Sequence, residues 1–161
     1  MDILRDKVAI ITGASAGIGE ATARLFAREG AALVIAARGH EALDAVANQN
    51  VADGGRAVAV AGDVGEERFA AELVETARRE FGGLDIAFNN AAALGALKPA
   101  PEPTTEEWRG VIGTNLDGAF FAAKHQLPAL LARGGGSLIF TASFVGHTAG
   151  MPGMAAYAAS K

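Results

Sequence analysis

The chain has no cysteine among its 161 residues. This excludes a disulfide framework, a thiolate metal site and a cysteine nucleophile. No apolar run approaches the roughly 18 residues needed to cross a membrane. The opening residues Met1-Asp2-Ile3-Leu4-Arg5-Asp6 lack the apolar core of a secretory signal. Basic charge is not in excess: the net charge is −4 and the pI about 5.3. That balance argues against a nucleic-acid footprint. The three histidines, His40, His125 and His147, are too few and too scattered for a metal site, so no metal is expected. A soluble, cytoplasmic protein with no nucleic-acid and no membrane partner is the expectation.

What the chain does have is 21 glycines and a hydrophobic half. The first suggests tight turns and close packing of helices on strands. The second is enough for a sizeable core, and the length suits one domain. Short apolar runs alternate with longer helical patterns. Strands are expected over Lys7–Thr12, Ala32–Ala37, Ala57–Ala61, Leu84–Asn89 and Ser137–Ser143. Helices are expected over Gly17–Glu29, Glu41–Ala52 and Glu66–Phe81, the last on the spacing of Phe69, Leu73, Val74 and Ala77. Ala93–Pro103 holds three prolines and reads as a loop. Thr104 and Glu107 form a capping-box signature for a helix reaching Arg133. A bend is expected near Gly113, and Pro128 should kink that helix or start its last segment. A further helix has barely begun at the end. Such alternation builds right-handed βαβ units and a parallel sheet.

Thr12-Gly13-Ala14-Ser15-Ala16-Gly17-Ile18-Gly19 joins the first strand to the first helix. Glycines there let the backbone turn sharply and approach a pyrophosphate, and the helix N-terminus offers free N–H groups and a positive dipole end. A Gly-rich turn with no ligand is the alternative. Dinucleotide sites selective for NAD carry an acid at the end of the second strand, where it holds the ribose 2′-hydroxyl. Here Ala36-Ala37-Arg38 has none, and Arg38 could pair with a 2′-phosphate. NADP(H) is therefore favoured over NAD(H). The alternative is a solvated Arg at a strand end.

Tyr157 and Lys161, four residues apart, share one face of a helix. A cation there can lower a phenol's pKa and make it a proton-transfer group.

Taken in order, these residues resemble the short-chain dehydrogenase/reductase family over the whole chain. The resemblance rests on Thr12-Gly13-x-x-x-Gly17-x-Gly19, Asp63-Val64, Asn89-Asn90-Ala91, Asn115, Ser143 and Tyr157-x-x-x-Lys161, with Ser143 14 residues before Tyr157. It implies an α/β Rossmann-like, doubly wound parallel sheet with five strands in the order 3-2-1-4-5, lacking the last strands of the complete fold. It also implies an NADP(H)-dependent oxidoreductase interconverting a secondary alcohol and a ketone. In it, Gly13, Ser15, Gly17, Ile18 and Gly19 would hold the cofactor, Asp63 its adenine amino group and Val64 its adenine pocket. Asn89 would steady the central strands, and Ala91 would lie along the cofactor. Tyr157 would be the proton donor or acceptor. Lys161 would hold the nicotinamide ribose and depress the tyrosine pKa. Ser143 would hydrogen-bond the substrate oxygen, and Asn115 would position a water relaying protons to Lys161.

The chain departs from the family pattern at two places. Ala92 stands where the family usually has Gly; at positive φ the methyl would cost about 1 kcal/mol. Family members also run on beyond the equivalent of Lys161. Residues 1–161 are therefore expected to be one NAD(P)-binding domain whose C-terminal part is missing, from a parent that is a homodimer or homotetramer. A chain ending at Lys161 is expected to fray there, to expose its fifth strand and to be inactive. The alternative function is a catalytically inactive dinucleotide-binding module. Phe144, Val145, Met151 and Met154 suggest an apolar wall for the substrate, whose identity the sequence does not carry.

Overall fold

The computed structural model describes residues 2–161. Five parallel strands form one sheet in the order β3-β2-β1-β4-β5. They are β1 (Val8–Thr12), β2 (Ala32–Ala37), β3 (Arg56–Ala61), β4 (Ile86–Asn89) and β5 (Ser137–Phe140). The helices are α1 (Gly17–Arg28), α2 (His40–Ala52), α3 (Glu67–Phe81), α4 (Thr105–Ile112), α5 (Gly118–Ala132) and α6 (Ala155–Ser160).

Alternation along the strands assigns each face its helices. Ile10, Val34, Ala36 and Ala87 meet Phe69, Leu73 and Ala77 of α3 and Leu130 of α5. Ala9, Ile11, Leu33 and Ile35 meet Ala23 of α1 and Leu43, Val46 and Ala47 of α2. A strand buried on both faces must be apolar throughout, which explains the unbroken runs in β1 and β2. Each fully buried Ile or Leu contributes about 1.5–3 kcal/mol.

Besides one-residue shifts at an end of β1, β3, α1, α2 and α3, the structure refines the sequence expectation in four places. β5 stops at Phe140 rather than Ser143, because its partner ends there: Asn89 pairs with Phe140, and the Thr141 N–H still donates to the Asn89 carbonyl at 3.0 Å. β4 begins at Ile86 rather than Leu84. Asp85 is instead used as a clamp: its carboxylate accepts from the Val8 N–H at 2.9 Å and from Arg133 at 3.1 Å. The bend near Gly113 is a π-helical turn over Gly113–Asp117, joining α4 to α5. Finally, α5 runs on through Pro128. The missing N–H costs one intrahelical bond without ending the helix. The capping box is present: the Thr104 hydroxyl accepts from Glu107 N–H at 3.2 Å, and the Glu107 carboxylate accepts from Thr104 N–H at 2.8 Å.

Candidate active site

The carboxyl ends of β1, β4 and β5 converge on one rim of the sheet, a topological switch point where open α/β sheets bind ligands. The Gly-rich turn leaves β1 there. Gly13 has φ +68°, and a Cβ on it would lie 3.0 Å from the Ala91 backbone. A Cβ on Gly19 would lie 2.1 Å from the Gly13 carbonyl oxygen. The turn is therefore as tight as backbone contact allows. Ala16, the α1 N-cap, offers no side-chain cap, so the first N–H groups of α1 remain available. Ile18 is exposed beside them.

Gly13, Ser15, Arg38, Asp63, Val64 and Ala91 line a cavity of about 290 Å³. Arg38 is exposed and makes no hydrogen bond or ion pair with another described residue. Asp63 accepts from the Gly65 N–H at 2.9 Å, which shapes the turn after β3. A donor-rich turn, a free guanidinium and a preshaped hollow are what a dinucleotide phosphate needs.

Val64, Ala91 and Thr114 also border a second cavity of about 250 Å³ that reaches Asn115, Ser160 and Lys161. One network ties its rim together. The Thr12 hydroxyl accepts from the N–H groups of Asn90 and Ala91, each at 3.1 Å. The Thr141 hydroxyl donates to the Asn90 side-chain oxygen at 3.2 Å, and Lys161 Nζ donates to the Thr141 carbonyl at 2.8 Å. Nζ lies 5.8 Å from the Tyr157 ring centroid. Burial holds the Lys161 pKa below its ordinary value, because the charged form loses hydration.

Asn115 sits in the π turn and is buried. Its side-chain oxygen accepts from the Ala93 N–H at 2.8 Å, and its NH₂ donates to the Ala93 carbonyl at 2.9 Å and to Ser160 Oγ at 2.8 Å. The π turn is the reason this side chain faces α6. The Ser143 hydroxyl accepts from the Val145 N–H at 3.1 Å. Tyr157 is half-buried in a crevice beside Leu94, Trp108 and Met154. The structure therefore places Asn115 and Lys161 on one cavity, while the Tyr157 ring, 5.8 Å from Lys161 Nζ, lines a different crevice. Ser143 borders none of these hollows.

The Asn89 backbone joins β4 to β5, and its side chain turns to α5. It forms a reciprocal amide pair with Gln126 of α5, at 2.7 and 3.0 Å, on the floor of the second cavity. Two buried residues that the motifs do not mark, Gln126 and Ser160, thus complete the site. A polar residue at a buried position of a helical pattern was the one available signal. Ala92 carries no strain: Asp6 is the single non-glycine residue at positive φ among the described residues. Val145 is core rather than wall, whereas Phe144 and Met151 are exposed.

A family model described as short chain dehydrogenase matches residues 7–161. Among curated proteins, a cyclohexanol dehydrogenase from Acinetobacter sp. is 40% identical over 156 residues, 97% of this chain and 62% of its own length. An uncharacterized oxidoreductase from Staphylococcus aureus is 40% identical over 146 residues, 91% of this chain and 62% of its own length. The chain thus spans about 62% of the length of these relatives. A crystal structure assigned as a short-chain alcohol dehydrogenase from Sinorhizobium meliloti superposes with a TM-score of 0.90 at 34% identity, covering 98% of this chain and 62% of that one. Another, assigned as a short chain dehydrogenase from Escherichia coli, gives 0.89 at 33% identity, covering 99% and 71%.

Proposed function

The chain belongs to the short-chain dehydrogenase family, and from that premise we propose an NADP(H)-dependent oxidoreductase that interconverts a secondary alcohol and a ketone. One observation carries the reading: the hollow beside the Gly-rich turn and Arg38 borders, through Val64, Ala91 and Thr114, the cavity that ends on Lys161. Phosphate recognition and proton-transfer chemistry thus lie along one path.

The residues fit a dinucleotide. Gly13, Ser15, Gly17, Ile18 and Gly19 would take the pyrophosphate on backbone donors, and Arg38 the 2′-phosphate. Asp63 and Val64 would hold the adenine, with Ala91 alongside. Asn89 acts through its pair with Gln126, which fixes the floor. When bound, the nicotinamide supplies or accepts the hydride. Tyr157 gives a proton to the carbonyl oxygen in reduction and takes it from the hydroxyl in oxidation. Ser143 donates to the same oxygen as charge develops on it. Lys161, with two N–H donors left after the Thr141 carbonyl, would hold the nicotinamide ribose and keep a positive field near Tyr157. Asn115 would steady a water on the route to Lys161 through the oxygen lone pair its amide leaves unused.

The substrate is read as an apolar alcohol. Leu97, Met151 and Met154 wall the groove beside α6, and Lys98 there is neutralised by Glu107 at 2.6 Å. The relative named for cyclohexanol agrees in kind. The exposed stripe of Leu116, Phe120, Leu127 and Leu131 is the proposed subunit contact of a homodimer or homotetramer.

Calorimetric titration with NADPH and NADH tests the cofactor reading. Arg38→Ala should weaken NADPH about 10- to 100-fold, matching about 1.5–3 kcal/mol for a charged hydrogen bond, and leave NADH within about twofold. Equal weakening of both, or a preference for NADH in the parent chain, would refute the phosphate role. Cofactor binding with no oxidation of any secondary alcohol would leave a dinucleotide-binding module.

A further inference from the structure

Ser160, a hydroxyl residue of α6, is almost fully buried. Its Oγ makes two bonds at once. It donates to the Tyr157 carbonyl and accepts from Asn115 Nδ2, both at 2.8 Å. Asn115 in turn holds both backbone groups of Ala93, two residues after Ala91 on the cofactor side. An unbroken chain of hydrogen bonds therefore runs from the Ala93 backbone, through the π turn, to the backbone that carries Tyr157.

Two further contacts hold the same helix. Lys161 Nζ is bonded to the Thr141 carbonyl. On the opposite side Gly146, at φ +88°, packs so closely that a Cβ would lie 2.2 Å from the Ala158 carbonyl oxygen. These two limit how far α6 can tilt. Only the Ser160 hydroxyl grips the carbonyl of the tyrosine itself.

We propose that Ser160 is a positioning residue for the reaction. Its hydroxyl clamps the Tyr157 carbonyl to the Asn115 amide and so fixes the phenol relative to the Ala91–Ala93 edge of the cofactor cleft. The inference rests on the oxidoreductase reading for its consequence in catalysis, but the clamp itself is a statement about where Tyr157 sits. Removing Oγ leaves Asn115 with one unpartnered donor and cuts the hydrogen-bond link from Asn115 to the helix that carries Tyr157. The ring then samples a wider range. A misplacement of about 1 Å can cost about a hundredfold in rate, while the dinucleotide hollow, which Ser160 does not border, is unaffected.

Tyr157 is the only tyrosine in the chain, which makes a direct test possible. Fluorotyrosine incorporation gives one ¹⁹F resonance. Ser160→Ala should move it toward the free amino acid position and broaden it, with far-UV circular dichroism and the thermal midpoint near the parent values. Ser160→Thr, which keeps the hydroxyl, should restore the parent resonance. If Ser160→Ala does not fold, Ser160→Cys replaces it, with a smaller displacement expected from the weak thiol donor. Where turnover is measurable, kcat should fall about 10- to 100-fold in Ser160→Ala with the KM values for cofactor and alcohol within about twofold. An unmoved resonance, or a Ser160→Thr resonance that coincides with that of Ser160→Ala, overturns the clamp. A moved resonance in a chain that binds neither dinucleotide supports the clamp and refutes the oxidoreductase reading instead.

Discussion

Lys161 and Asp85 show how one residue's environment sets its worth. Lys161 is half-buried with no carboxylate among its described partners; a backbone carbonyl is what it holds. Burial disfavours its charge, so at neutral pH the ammonium is a cost to folding. Lys161→Met should therefore raise the thermal midpoint while removing turnover, as a calorimetric scan beside an activity assay would show; a lower midpoint would refute this account. Gly19 is set by contact rather than charge. Its missing Cβ is what lets α1 approach the Gly13 carbonyl. Gly19→Ala must push the turn apart, and dinucleotide affinity should drop at least about tenfold by titration. For Asp85 the opposing influences are burial, which raises its pKa, and the Val8 N–H, Arg133 and Lys7, which together lower it further. Its folded value thus lies below the ordinary 3.8. The stabilisation is complete above that ordinary value and disappears as pH falls through the lower folded one. Asp85→Asn should flatten that acid limb in urea melts recorded from about pH 5 downward.

Elements declare themselves in sequence when their period is strong and their ends are chemically marked. β2 agrees with its expected bounds because Ala32–Ala37 is apolar at every position, and α3 comes within one residue, starting at Glu67 rather than Glu66, because Phe69, Leu73 and Ala77 repeat on one face. The start of α4 is written in Thr104 and Glu107. Thr104→Ala should cost about 0.5–2 kcal/mol, measurable in denaturant as a shifted midpoint with an unchanged slope. The π turn was legible only as a bend, since one extra residue per turn leaves no periodic trace in five residues. The short β5 was missed because strand length depends on a neighbour, and β4 lies about 50 residues away in sequence (Asn89 against Phe140). At the site, the glycines, Arg38, Tyr157 and Lys161 stood out because their spacing is itself the signal. Ser160 and Gln126 did not. Each is an ordinary polar residue until its partner, Asn115 or Asn89, is brought alongside by the fold.

At the scale of the whole molecule, the sheet separates two different tasks. Its α1–α2 face is a plain apolar core. Its α3–α5 face carries the cavity, the amide pair and the network that ends on Lys161. Gln126→Leu probes that division. It should leave the half-buried Asn89 amide without its partner and destabilise by about 1 kcal/mol, and NADPH affinity should fall with it, because the floor that the pair fixes lies on the cofactor path. Unchanged stability and affinity would refute the role of the amide pair. The five residues from Gly113 to Asp117 also make the chain unusually sensitive to length. Each residue advances a helix by about 100°. Deleting one residue within this turn would yield a smoother helix, yet would put α4 and α5 out of phase. If α4 kept its seat, α5 would swing its Ala122–Gln126–Leu130 stripe off the sheet and bring a different edge inward. A single-codon deletion there should therefore be far more harmful than most point substitutions at the same five positions, a pattern a deletion scan through residues 105–132 would read directly.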